Sequence, residues 1–526
     1  MRNYLITIYF AALLASGLLI IGDYGATLDD EIYYNNGLNT YIYVKAVLNV
    51  FGDTDNIAKL KQSLDLHPVV FETFVLFICD LLKINEINEI LYTSHIINYV
   101  LFIISLICLY KVINIRFNNK KIALISSLLV IFTPRIFFES FYNTRDIYFM
   151  SLFIFYLYFL YNYLNNKNIK NLIIFSLLSA LLINSKILGI IPVFIYLIIY
   201  VFNCIDEKRK IRTNINNLLI FIIFTLVFIY IFWPYLWENP IFKIYYAFNE
   251  ILKSHEELVI INYYFGEHIS SKLTPWHYRI IWFLITTPVI IILLFLFGIM
   301  LITKKYLIKF YNIDKKKKFK INKNEFYDLF ILLNFIIILF STVYLNTSKF
   351  GGWRHLYFLY PLIIYFSAYF MQKIIINKIG INFFKLIIIC LGLNISYIGI
   401  WVIKNHPNQY IYFNVLTKNY TINNFDLDWW GVSHFNTIKK ILNDDKSDKI
   451  TIFARGFTEL KPTLMLLKKE LRERVILTNY ENSEYILDNS MRRIRGNIII
   501  DKNKYKPYME TKVDGVIINR VYKKVN

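Results

Sequence analysis

Apolar residues run along this chain in long uninterrupted blocks. Stretches such as LFIISLICLY (101–110), FIIFTLVFIY (221–230) and VIIILLFLFGIM (289–300) contain no charge. A helix needs about 20 apolar residues, at ~1.5 Å rise each, to cross ~30 Å of hydrocarbon. On that criterion the pattern predicts spans near 4–22, 90–112, 121–138, 147–163, 170–184, 187–204, 217–234, 279–302, 327–345, 354–371 and 382–402. A cleaved signal peptide competes for the first block. No small-residue cleavage site is evident after it, so an uncleaved first helix is expected. Residues 67–84 carry Glu72 and Asp80, each costly in lipid. They are expected to lie at the outer interface rather than to span.

The polar gaps divide by sign. Lysine and arginine gather in KVINIRFNNKK, DEKRKIRTN and KKYLIKFYNIDKKKKFKINK, whereas 23–66 is mostly acidic. Under the positive-inside rule the basic gaps face the cytoplasm. Segments 23–66, 139–146, 235–278 and 346–353 then face outward, and the N-terminus lies inside. From residue 403 the period changes. KITIFA, VILTN and GVIINRVYKKV read as strands, and TLMLLKKELRER reads as an amphipathic helix. The expected architecture is a polytopic α-helical membrane protein of about eleven spans over 1–402. An acidic first outer loop (23–66) and a small extracytoplasmic α/β domain over 403–526 complete it.

Composition supports this partition. The 526 residues are 56% hydrophobic and 18% charged, below the ~25% charged content of soluble domains. The formal charge of +21 sits in short gaps between apolar blocks, with no recognisable nucleic-acid module, so no nucleic-acid partner is expected. Cys79, Cys108, Cys204 and Cys390 lie in or beside apolar segments without metal-ligand spacing. Neither a disulfide nor a cysteine metal site is expected.

Several polar clusters at the outer ends of spans carry candidate chemistry. Asp29, Asp30 and Glu31 follow the first helix. Neighbouring carboxylates repel, which suits a general base or a cation site, although a solvated acidic loop has the same composition. Arg145 and Asp146 occupy a very short outer turn, as a reactive pair or as interfacial anchors. Lys186 lies between two apolar halves, where it either snorkels or meets a phosphate as a point charge. Gly351 and Gly352 precede Arg354 and His355; the guanidinium suits bidentate phosphate contact, and ordinary cap chemistry is the plainer alternative. His277 and Arg279 sit in an aromatic outer edge typical of an interfacial belt. Asp426 and Asp428 in FDLDWWG suit a packed aromatic junction better than a substrate contact.

These motifs, taken in order, resemble those of the glycosyltransferase-C superfamily. DDEIYY resembles its acidic first-loop motif. FYNTRDIYFM, TPWHYRIIWFLITTP, GGWRHLYFLYP and HPNQYIYFN…FDLDWWG are similar to stretches of bacterial relatives of the protein O-mannosyltransferases, glycosyltransferase family 39. The resemblance covers most of 1–431. It implies an inverting transfer, on the extracytoplasmic face, from a polyprenyl-phosphate-linked sugar donor to a hydroxyl of a lipid, protein or polysaccharide acceptor. Asp30 would be the general base, Glu31 would help place it, and Asp146 would orient acceptor or sugar. Arg145, Lys186 and Arg354, joined by His355 and Arg279, would hold the donor phosphate. No metal or other cofactor is required, because fixed cations can stabilise the leaving group. Asp29 precedes the Asp-Glu pair, so either aspartate fits the role of base, and protein mannosylation in particular is not implied. Two other classes compete. A transporter or flippase of lipid-linked glycans would place ionisable residues near the midplane on broken, repeated helices. An assembly protein would not need acidic and basic residues converging on one membrane face.

Overall fold

The computed structural model describes residues 3–48, 59–206, 211–311, 321–344, 349–376, 381–455, 459–489 and 499–525. Parts of the first acidic loop, of the basic gaps after 206 and 311, and of the outer segment 346–353 lie outside the described residues, as does the side chain of Cys204. Among the described residues, eight helices are long and apolar enough to cross a membrane. With them the chain is a multi-pass membrane protein. The remaining predicted spans are shorter helices: Lys120–Ile131, Ile169–Ser185 and Ile190–Asp206.

Prolines explain where the helices depart from the predicted spans. The block 121–138 breaks at Thr133, extended before Pro134, and resumes as Pro134–Glu139. The block 279–302 breaks likewise at Thr287 (φ −102°, ψ 137°) before Pro288, giving Tyr278–Thr286 and Val289–Tyr311. Proline lacks a donor N–H, and its ring disfavours helical geometry in the residue before it. The acidic stretch expected as a loop contains a 21-residue helix, Leu28–Leu48. Residues 67–84 form a helix of 12 residues, Val70–Leu81. At ~1.5 Å per residue it is too short to cross a bilayer.

The long helix Ile87–Phe117 packs on Asp146–Asn165 and on Lys120–Ile131, and Val289–Tyr311 packs on Tyr360–Ile376. The last pair approaches closely because Gly298 has no side chain. A Cβ there would lie 1.9 Å from the Phe366 carbonyl oxygen.

After the Ile381–Lys404 helix the chain builds a five-stranded sheet. Its spatial order is Val475–Leu477, Ile450–Arg455, Tyr485–Asp488, Val516–Lys524, Tyr505–Val513. The first three strands are parallel and the last two join antiparallel. Helices His434–Asp444 and Lys461–Leu466 pack on the sheet, and their core includes Ala26 and Leu91 from the helical part. The sheet unit is therefore seated on the end of the bundle where the first helix finishes and Ile87–Phe117 begins.

Candidate active site

That same end carries the candidate chemistry. Asp30 belongs to the first turn of Leu28–Leu48, and Asp146 opens Asp146–Asn165. Arg354 and His355 enter Tyr360–Ile376 through a 3₁₀ turn, Arg354–Leu359. Lys186 follows the last residue of Ile169–Ser185.

Local hydrogen bonds hold both aspartates. Thr27 and Asp30 form a capping box. The Thr27 N–H donates to Asp30 Oδ2 at 2.6 Å, and the Asp30 N–H donates to Thr27 Oγ1 at 3.3 Å. The Asp146 N–H donates to Asn143 Oδ1 at 2.9 Å, and Asn143 Nδ2 donates to both Asp146 Oδ2 (3.1 Å) and Glu139 Oε2 (2.8 Å). Each carboxylate thus sits at a helix N-terminus, where the peptide dipoles favour negative charge.

Arg354 joins the two loops. Its Nη1 lies 2.7 Å from Asp29 Oδ2 and 3.7 Å from Asp146 Oδ2. Lys186 pairs with Asp146, and His355 Nδ1 lies 3.8 Å from the same carboxylate. Gly351 (φ +64°) and Gly352 (φ +70°) form the turn that delivers the guanidinium, and a Cβ on Gly351 would lie 2.7 Å from Arg354 Nε. Only glycine adopts those angles without strain. Trp429 and Trp430 flank the guanidinium, with ring centroids 5.0 and 4.5 Å from Cζ. This is cation–π geometry.

Arg145 faces the other side of the cluster. It stacks on Tyr33, with Cζ 4.2 Å from the ring centroid, and lies 3.9 Å from Glu72 Oε1. Burial pushes the Glu72 carboxyl above its usual range, against the pull of Arg145. Burial also lowers the Lys186 ammonium, opposed by its contact with Asp146.

The three acidic residues of the first turn have different partners. Asp29 is engaged by Arg354, and Glu31 by Lys461 of the sheet unit. Asp30 has no lysine or arginine partner among the described residues; His95 Nε2, 3.5 Å from Oδ1, is its one neighbour in ion-pair range. With Oδ2 held by Thr27, Asp30 lines a small pocket with Tyr33, Glu72, Ser94 and Thr144.

Arg279 is buried, makes no ion pair among the described residues, and leaves Nε without a partner. It lies near Lys349, a second buried cation, and near His355. His277 is held by the Tyr264 hydroxyl at 2.8 Å. Asp426 accepts from the Tyr263 N–H, and Asp428 accepts from the Tyr410 hydroxyl and from the Val432 and Ser433 N–H groups. Both aspartates fix the aromatic junction, the plainer of their two readings. Among the described residues no group of three or more His, Cys, Asp or Glu side chains is placed to hold a metal ion.

Four residues of this cluster were not singled out for their chemistry: Glu72, Glu139, Tyr33 and His95. In the sequence Glu72 stands out only as costly in lipid. Glu139 has one local signal, a carboxylate directly after the apolar residues Ile136, Phe137 and Phe138.

Residues 68–233 match the sequence profile of the family described as dolichyl-phosphate-mannose-protein mannosyltransferase. No curated protein matches the chain. Among solved structures, ArnT from Cupriavidus metallidurans bound to undecaprenyl phosphate is similar at 10% identity and TM-score 0.48, over 99% of this chain and 98% of that one. The apo oligosaccharyltransferase of Archaeoglobus fulgidus is similar at 10% identity and TM-score 0.45, over 92% and 65%. Oligosaccharyltransferase AglB from the same organism, in complex with an inhibitory peptide and a dolichol-phosphate, is similar at 9% identity and TM-score 0.44, over 99% and 75%. In the segment that carries Glu72, Arg145, Asp146 and Lys186, the chain resembles the dolichyl-phosphate-mannose-protein mannosyltransferases, of the glycosyltransferase-C type.

Proposed function

We propose that this protein is a membrane glycosyltransferase. It moves a sugar from a polyprenyl-phosphate-linked donor to an acceptor hydroxyl on the extracytoplasmic face, with inversion at the anomeric carbon. The observation that carries this reading is Arg354, whose one nitrogen reaches carboxylates of both the first outer loop and the 139–146 turn. The family description of residues 68–233 supplies the donor class.

In this reading Asp30 Oδ1 accepts the proton of the acceptor hydroxyl as the oxygen attacks. No lysine or arginine among the described residues pairs with it. Thr27 holds the other oxygen and so fixes the carboxylate plane. Glu31, tied to Lys461, fixes the first turn against the sheet unit. Asp146 orients the sugar or the acceptor and holds Lys186 and Arg354 in place. Arg145, Lys186 and Arg354 receive the phosphate, and their charge stabilises the leaving polyprenyl phosphate. His355 and the uncompensated Arg279 line the approach. Trp429 and Trp430 offer apolar faces beside the cations. The reading takes about eleven spans with residues 403–526 outside, so that all of these residues share one outer surface.

The test is an in vitro assay of the purified full-length protein in lipid nanodiscs. It is offered synthetic polyprenyl-phospho-sugars with a panel of lipid, peptide and oligosaccharide acceptors, and release of free polyprenyl phosphate is followed by mass spectrometry. At least one donor is expected to turn over. Failure of every donor, with the protein folded, removes the proposal.

A further inference from the structure

The opposite end of the bundle holds a second charged pocket, which the proposed transfer does not use. Arg354 and Lys373 stand at the two ends of the same helical run, roughly 30 Å apart at the rise of a helix. A cavity of about 280 Å³ lies at the far end, lined by Arg116, Lys305, Tyr369, Gln372, Lys373 and Ile376. Arg116 ends Ile87–Phe117, and Lys305 lies in the C-terminal part of Val289–Tyr311. Three helix ends thus deliver one cation each.

Asp328 is the carboxylate paired with this group, and it is saturated. Arg116 Nη2 donates to both of its oxygens, at 2.9 and 2.8 Å, and Arg116 Nε adds a bond of 3.1 Å. Lys305 Nζ lies 3.0 Å away, and the Tyr365 hydroxyl donates at 2.5 Å. One carboxylate therefore answers two cations. Lys373 forms no ion pair among the described residues; its ammonium rests 5.5 Å from the centroid of the Tyr369 ring. Gln372 accepts from Asn119 through Oε1 at 3.2 Å, which leaves its NH₂ group to donate elsewhere.

The cavity thus combines excess positive charge, the Arg116 Nη1 group that makes no bond to Asp328, two flexible ammonium groups and an amide donor. That donor set fits the oxygens of a phosphate group. Cationic pockets between helix ends at a membrane surface commonly take lipid phosphates. The exposed Ile376 beside the cavity offers an apolar surface to an acyl chain. We infer that this pocket binds a phosphate-bearing anion at the membrane face opposite the candidate active site, supplied by a lipid headgroup or by solution.

The test uses the full-length protein, delipidated in a non-ionic detergent. Retention of phosphatidic acid and of zwitterionic phosphatidylcholine is read by native mass spectrometry. Inorganic phosphate is read as a shift of the unfolding midpoint against chloride at matched ionic strength. Lys373→Gln carries the test, because among the described residues Lys373 holds no ion pair whose loss would unfold the protein. Preferential retention of phosphatidic acid, reduced about fivefold by Lys373→Gln, assigns the site to a lipid headgroup. A stabilising shift by inorganic phosphate that Lys373→Gln removes, without lipid preference, assigns it to a soluble phosphate. If Lys373→Gln changes neither reading, the inference is overturned.

Discussion

Asp30→Asn is expected to abolish sugar transfer while leaving the protein folded and inserted. Asparagine has the same shape, and its amide oxygen can still accept from the Thr27 N–H, so the capping box that starts Leu28–Leu48 survives. What it cannot do is take a proton. General-base catalysis typically contributes about 10²–10⁴ in rate, and the variant should lose that factor in kcat with little change in either KM. Asp29→Asn is the informative control. It removes a partner of Arg354, so its effect should appear mainly in donor KM. The measurement is steady-state turnover of the three proteins with their unfolding midpoints alongside. If Asp30→Asn keeps turnover within a few-fold of the parent and Asp29→Asn does not, the base is Asp29.

Arg354→Ala should produce the second large effect. The substitution removes a charge aimed at the donor phosphate, and losses of about 10²–10³ are usual when one preorganised donor to a developing charge is deleted. It also frees Asp29 and weakens the hold on Asp146, whose repulsion would further disfavour a phosphate. The expected signature is a higher donor KM and a lower kcat, with acceptor KM nearly unchanged. Arg354→Lys should recover only part of the loss, because an ammonium lacks the planar fork and stacks less well between Trp429 and Trp430. Equal damage to donor and acceptor use would reduce Arg354 to a residue that holds the fold.

Much of the helical layout was legible because an apolar block with charged borders has few alternatives in a long chain. The breaks at Thr133 and Thr287 were legible too, since each precedes a proline, but hydropathy averages over them. The outer-loop clusters were readable as chemistry because Arg145, Asp146 and Arg354 are costly beside a bilayer unless something answers their charge. Their meeting was not readable. Arg354 reaches Asp29 only because Gly351 and Gly352 take left-handed angles, and no local pattern states where such a turn points. The differing surroundings of Asp29, Asp30 and Glu31 come from partners far along the chain: Arg354, His95 and Lys461. One further local signal is present. Thr27 and Asn143 each stand three residues before an aspartate at a helix start, the spacing of a side-chain cap, and that spacing marks Asp30 and Asp146 together. Glu72 was hidden for a different reason. Its neighbours read as an interfacial helix, and only packing against Arg145 and Tyr33 gives it a place in the cluster.

The most direct measurement is an electron cryomicroscopy map of the full-length protein in a nanodisc with polyprenyl phosphate. The account predicts the phosphate among Arg145, Lys186 and Arg354, its lipid tail leaving sideways into the bilayer, and Asp30 facing the same cavity from the first outer helix. A phosphate seated elsewhere, or Asp30 and Asp146 found at opposite membrane faces, would contradict it.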